Sequence, residues 1–293
     1  MKIDLHVHSS DCSDGKMPLT DIFKEASRRR ISLVSITDHD SIDCQESAEA
    51  LAVQYGISYL TGVELNISFS HPQYLDSRPI SLDMLGYQYD IHNLALTRKL
   101  QELRDFRKKR AEQILEKINH ELIKNQIAPF THHDLAAIEE TVDGSFGRPH
   151  IANYMVTKGI VPDRQTAFDR YLIKCNVPKM PVSLEEASEL IRGAGGKLVF
   201  AHPNNHKGTS LVAFSRSVSE QQQIIRDKML PYLDGIECWH PTHDAETASA
   251  YERFARNNGL IVTGGSDCHQ QPVAIGTVDV PLYVADQFKC NII

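Results

Sequence analysis

Ile31-Ser32-Leu33-Val34-Ser35-Ile36-Thr37-Asp38-His39-Asp40 is an apolar run that ends in a histidine flanked by carboxylates, with a helical stretch, Ser41 to Tyr55, behind it. The same unit recurs along the chain. Ile3 to Val7 alternates and ends at His8, Ile57 to Val63 ends at Glu64, and Leu198 to Ala201 ends at His202. Gly235 to Trp239 ends at His240, and Leu260 to Thr263 runs into Gly264-Gly265-Ser266-Asp267-Cys268-His269. Leu82 to Tyr87 is a further extended run, and helical patterns occupy Pro18 to Arg30, Leu184 to Ala194 and Ala245 to Asn258. Strands alternating with helices of about 10–15 residues predict βα units around a parallel sheet. Barrel and open-sheet enzymes place their chemistry at the C-terminal ends of such strands. The expected fold class is therefore α/β, with a barrel-like catalytic domain.

Residues 97–183 break this pattern. Leu100, Leu103, Ala111, Ile114, Ile118 and Leu122 recur at three- and four-residue steps within Leu96 to Lys124, which predicts a long amphipathic helix. Further helix is expected at His133 to Glu140, Pro149 to Lys158 and Arg164 to Ile173. The expected organisation is a framework formed by 1–96 and 184–293, with a helical insertion at 97–183 that caps the substrate. The chain has 293 residues, 31 basic and 38 acidic, for a net charge of -7. That balance argues against a footprint for long duplex nucleic acid and leaves short phosphorylated ligands as candidates. The basic run Arg104 to Arg110 reads as a solvated helix face, balanced by Glu112 and Glu116. No apolar run approaches the roughly 18 residues of a membrane span, so no membrane partner is expected. The polar start Met1-Lys2-Ile3-Asp4 is unlike a signal peptide, and a cytoplasmic location is expected. The six cysteines contain no Cys-x-x-Cys pair and are read as reduced thiols.

The 14 histidines carry the chemistry. In His6-Val7-His8 the two-residue period of a strand puts both imidazoles on one face, where they can grip one ion. Ser13-Asp14-Gly15, Thr37-Asp38-His39-Asp40, Gly62-Val63-Glu64, Ala201-His202-Pro203 and Ser266-Asp267-Cys268-His269 add further donors at the ends of apolar runs. Mixed nitrogen and oxygen ligation suits Zn²⁺, Mn²⁺ or Fe²⁺ rather than a thiolate structural zinc. No Gly-x-Ser-x-Gly elbow is present, and Gly193-Ala194-Gly195-Gly196 lacks the Lys-Ser/Thr of a phosphate loop and reads as a helix end. No protein nucleophile is expected. Clustered divalent ions lower the pKa of water, so a metal-activated hydroxide can attack a phosphate ester while the ions neutralise its oxygens.

At these residues the sequence resembles the PHP family of metal-dependent phosphoesterases, named for polymerase and histidinol phosphatase. The resemblance is greatest to its small members that act as 3′,5′-nucleotide bisphosphatases and 5′-to-3′ exoribonucleases. It implies a distorted, TIM-like (β/α)7 barrel with a helical insertion and three divalent ions per chain. By motif, His6, His8, Glu64 and Asp267 would hold one ion, and Asp14, His39 and His269 another. Glu64 would bridge to a third ion bound by His202 and the residue at position 83. There the chain departs from the family, with Asp83 in Leu82-Asp83-Met84-Leu85-Gly86-Tyr87 where a histidine is expected. A carboxylate is a competent, harder ligand, which shifts the metal preference of that position. Arg148, in Gly147-Arg148-Pro149-His150, and Lys179, in Pro178-Lys179-Met180, resemble substrate-binding cations. In Trp239-His240-Pro241-Thr242-His243, His243 rather than His240 matches a phosphate-contacting position, and Trp239 reads as core, with base stacking the alternative. The function implied is hydrolysis of a nucleoside 3′,5′-bisphosphate to the nucleoside 5′-monophosphate and phosphate. Exonuclease action on short RNA in the 5′-to-3′ direction comes next. Histidinol-phosphate phosphatase, an amidohydrolase and a non-catalytic metal or nucleotide sensor are the alternatives.

Overall fold

A computed structural model describes residues 2–139, 147–178, 180–269 and 273–288. In chain order the regular elements are β1 (Lys2–Val7), α1 (Leu19–Arg28), β2 (Ile31–Ile36), α2 (Gln45–Tyr55), β3 (Ser58–Tyr59), β4 (Gly62–Phe69) and β5 (Ile80–Tyr87). There follow α3 (Leu94–Lys124), α4 (His132–Glu139), α5 (Arg148–Thr157), α6 (Arg164–Ala167) and α7 (Leu184–Gly193). The chain continues with β6 (Lys197–Phe200), α8 (Val218–Lys228), β7 (Gly235–Trp239), α9 (Ala245–Asn257) and β8 (Ile261–Gly264). It divides into two compact units, Met1–Arg98 with Pro181–Ile293, and Lys99–Met180. No helix among the described residues is long and apolar enough to cross a membrane.

The first unit is mixed α/β and is built on two sheets. One is parallel, in the order β1-β2-β3, and the other runs β4-β5-β6-β7-β8. The expectation of βα units throughout fails at β4 and β5, which pair antiparallel from Gly62↔Tyr87 to Phe69↔Ile80. The physical reason is the connection: a loop with one short turn at Leu75–Ser77 replaces the helix that a parallel crossover needs. β5 is also antiparallel to β6, whereas β6, β7 and β8 run parallel. Among the described residues the ladders form two sheets and no closed ring. The sheets meet through single bridges, Val7↔Cys268 on one side and His39↔Glu64 on the other, and both lie beside histidine-bearing turns.

Amphipathic helices cover the parallel sheet. Leu19, Ile22, Phe23 and Ala26 of α1 recur at helical spacing and are buried. They join Val34 and Ile36 of β2 and Ala48 and Ala52 of α2 in one apolar cluster. α2 stops at Gly56, whose φ of +64° gives the left-handed C-terminal turn that glycine adopts without strain. The run Ile57 to Val63, read as one strand, serves both sheets: β3 pairs with β2, and β4 opens at Gly62. A Cβ at Gly62 would lie 2.1 Å from Ser35 Oγ, so only glycine passes this close to β2. α8 carries no strong apolar signal and was not anticipated.

The second unit is helical. Ile114, Ile118 and Leu122 of α3 pack with Ile138, Ile151, Met155 and Leu172 in a core of its own. Buried Arg110 donates to Val177 O at 2.6 Å and to Asn176 Oδ1 at 2.8 Å. Asp163 caps α6 by accepting from Thr166 N, and the helix continues as a wider turn over Phe168–Leu172.

Candidate metal centre

β1 delivers the first two groups. His6 and His8 project from one face and are fully buried, with their Nε2 atoms 3.1 Å apart. Glu64 enters from β4, three residues into the strand rather than at its end as the sequence suggested. Its Oε2 lies 3.4 Å from His6 Nε2, 3.2 Å from His8 Nε2 and 3.1 Å from His39 Nδ1, while Oε1 lies 3.2 Å from His202 Nε2. The turn after β8 adds Asp267, whose Oδ1 is 3.4 Å from His6 Nε2 and 3.5 Å from His8 Nε2. Asp14 is half-exposed and reaches His269 Nε2 at 3.3 Å and His39 Nε2 at 3.9 Å. The His8 and His269 rings stack at 3.9 Å.

Among the described residues, histidines and carboxylates form three groups of donor atoms, each spanning no more than 4.8 Å: His6 with His8 and Asp267, His6 with Glu64 and His202, and His8 with Asp14, His39 and His269. Ligands held about 2.0–2.2 Å from one ion stand roughly 3–3.6 Å from one another, the spacing seen for the contacts among His6, His8, Glu64 and Asp267. Glu64 Oε2 and Asp267 Oδ1 are buried and have no hydrogen-bond partner, although each faces imidazole nitrogens. Buried acceptors arranged around lone-pair donors fit a divalent cation. The carboxylates and imidazoles also offset one another's charge. Burial would raise the Glu64 and Asp267 carboxyls, but the surrounding imidazoles, His39 and His6 foremost, hold them well below the usual carboxylate range. Burial opposes protonation of His269 and His202, yet the facing carboxylates push them up to about 11 and about 9; at His39 burial dominates and lowers it to about 4.

Asp83 stands apart from these groups. In β5, register-paired with Asn66, it accepts from Asn66 Nδ2 at 2.6 Å and from Thr209 Oγ1, and its charge helps to raise His202. His240 and His243 follow β7. His243 Nδ1 lies 2.9 Å from Cys238 O, and its Nε2 accepts from Asn204 N at 3.3 Å, so the main chain engages both ring nitrogens. His240 instead directs Nε2 at Asp267 Oδ2, 3.2 Å away. Arg148 lies in the helical unit with its guanidinium 5.6 Å from the centre of the Phe168 ring. Lys179 lies outside the described residues. Trp239 packs edge-on against Tyr283.

Two carboxylates at the centre carry no motif and escaped the sequence reading. Asp4 accepts from Ser266 N at 2.8 Å, Gly276 N at 2.7 Å and His6 N at 3.3 Å, stitching β1 to the turn that bears Asp267. Glu237, buried in β7, faces His6 Nδ1 at 3.0 Å. The signal was present in each case: an acid inside an otherwise apolar strand must find a partner when buried. The ligand turns are also bent, with His202 at φ +27° and Asp267 at φ +49°, the kind of backbone strain that clusters at functional sites.

Comparison with known proteins agrees with this geometry. The PHP domain model matches residues 4–172, more than half of the chain. The chain is 29% identical over 280 residues to the 3′,5′-nucleoside bisphosphate phosphatase of Chromobacterium violaceum, covering 91% of this chain and 87% of that one. It is 31% identical over 275 residues to a 5′-3′ exoribonuclease of Haemophilus influenzae, covering 92% and 90%. Among solved structures it is similar to an amidohydrolase from Chromobacterium violaceum with bound sulfate, at a TM-score of 0.74 and 28% identity over 96% of this chain and 93% of that one. A protein assigned as a metal-dependent phosphoesterase from Bifidobacterium adolescentis matches with a TM-score of 0.74 and 27% identity over 97% and 94%. With buried histidines and carboxylates converging in three groups and relatives matched along nearly the whole length, the chain belongs to the PHP family and is a metal-dependent phosphoesterase.

Proposed function

We propose that this phosphoesterase removes the 3′-phosphate from nucleoside 3′,5′-bisphosphates, leaving the nucleoside 5′-monophosphate, and also releases 5′-nucleotides from short RNA. The observation that carries the reading is the convergence of His6, His8, Glu64 and Asp267 at contact distances of 3.1–3.5 Å. His6, His8, Glu64 and Asp267 would hold one divalent ion, Asp14, His39 and His269 a second, and Glu64, His202 and Asp83 a third, with Mn²⁺, Zn²⁺ or Fe²⁺ the matching ions. Bound ions supply an activated water at neutral pH and neutralise the phosphate oxygens. The chain's own residues supply placement. Glu64 faces four imidazoles and would set the spacing between positions, while Asp4 pins the turn carrying Asp267 to β1. His240, held by Thr242 through Nδ1 at 2.8 Å and facing Asp267 through Nε2 at 3.2 Å, would meet a phosphate oxygen or donate a proton to a leaving group. Arg148 would take the non-reacting phosphate with its planar fork of donors.

The test is turnover by Mn²⁺-supplemented protein on a nucleoside 3′,5′-bisphosphate, 5′-phosphorylated short RNA and histidinol phosphate. Phosphate release from the bisphosphate at the highest kcat/KM is expected. Preference for histidinol phosphate would overturn the nucleotide reading, and turnover of none would place the substrate outside these classes.

A further inference from the structure

We propose that Glu237 is the positioning residue of the centre: it fixes the tautomer of His6 and the backbone of His202, so that both present their Nε2 lone pairs to a metal ion. The inference rests on the reading of these histidines as ligands. A carboxylate only accepts hydrogen bonds, so the His6 nitrogen facing it at 3.0 Å, Nδ1, bears the ring proton. That leaves Nε2 as the lone-pair nitrogen, and Nε2 is the atom directed at Glu64, Asp267 and His8. The second oxygen of Glu237 accepts from the backbone N–H of His202 at 2.8 Å. His202 follows β6 at φ +27°, a conformation that needs support from its surroundings, and it directs its own Nε2 at Glu64. One side chain thus holds two of the three donors in the His6, Glu64 and His202 group, one by its ring and one by its main chain.

The topology explains why the task falls to β7. This strand lies between β6 and β8 in the five-stranded sheet, whereas His6 belongs to β1 of the other sheet. The Glu237–His6 bond therefore crosses between sheets that, among the described residues, are bridged on that side at Val7↔Cys268. Glu237 is fully buried, and both of its oxygens are used.

Glu237→Gln separates positioning from mere packing, because it keeps the shape and removes one acceptor. The His202 N–H cannot change its donor role, so the glutamine oxygen must serve it and the amide NH₂ must face His6. His6 can then accept only by moving its proton to Nε2, which blocks ligation. The expected result is a Mn²⁺ titration midpoint raised roughly 10–100-fold, the usual effect of losing the partner behind a ligating histidine. Activity should return at excess Mn²⁺. In ¹⁵N NMR of the metal-free protein, recorded at a pH alkaline enough to leave the His6 ring neutral, His6 (identified by its loss in His6→Asn) should be protonated on Nδ1 in the wild type and on Nε2 in the variant. A Mn²⁺ midpoint within about threefold of wild type would overturn the inference, because the loss should be tenfold or more. A wild-type His6 protonated on Nε2 would overturn it equally, and that spectrum decides the matter even if Glu237→Gln does not fold. Failure of the wild type to take up Mn²⁺ would instead refute the metal-centre reading, and the tautomer would still decide the role of Glu237.

Discussion

Glu64 faces four imidazoles within 3.4 Å of its two oxygens, and Asp267 faces four within 3.5 Å. A single residue of this kind is legible in sequence only through its setting, an acid just after the Gly62-Val63 step. The histidines are legible because they recur at strand ends. Glu237 and Asp4 lie inside apolar strands, and no local spacing reveals which distant donor each one meets. Asp83 is tied to the centre through its neighbours. Its oxygens accept from Asn66 and Thr209, and its charge reaches His202. If Asp83 completes the position shared by Glu64 and His202, Asp83→Ala should retain about one ion fewer per chain by elemental analysis, the loss expected when one site is opened. Unchanged metal content and turnover would leave Asp83 as a hydrogen-bond acceptor for the 202–210 loop.

At the level of elements, α1, α2, α7 and α9 and most strands follow from apolar periodicity alone. What periodicity could not supply was pairing direction. Ile57 to Val63 reads as one run yet feeds two sheets, and the β4–β5 hairpin depends on the absence of a helix in its connection. Close approach of backbone to backbone is also invisible in a hydropathy pattern. Gly265 illustrates it: an added Cβ would lie 2.4 Å from both Cβ and N of His6. Neither atom can swing away as a flexible side chain would, so Gly265→Ala should displace β1 from the turn that bears Asp267. The expected cost is about 1–3 kcal/mol, the range for overpacking, seen as a lower melting temperature with weakened Mn²⁺ uptake. A wild-type melting temperature and metal affinity in this variant would contradict the close packing of the two ligand-bearing segments.

Across the whole molecule, a net charge of -7 has to be reconciled with an anionic substrate. The field near a binding site depends on nearby charge more than on the total, and bound divalent ions would supply the positive side. Removing the guanidinium in Arg148→Ala should weaken a bisphosphate substrate by about 1.5–3 kcal/mol, the range for hydrogen bonds to charged groups. It should leave p-nitrophenyl phosphate, which lacks a second phosphate, nearly unaffected. An equal fall in kcat/KM for both would assign Arg148 to the reacting phosphate or to the fold. The central claim, that the histidine and carboxylate centre performs the hydrolysis through bound ions, is tested most directly by metal removal and return. The chain dialysed against a chelator should lose turnover of a nucleoside 3′,5′-bisphosphate and regain it in proportion to the Mn²⁺ bound on titration, whereas full turnover by protein shown to be metal-free by elemental analysis would contradict the account.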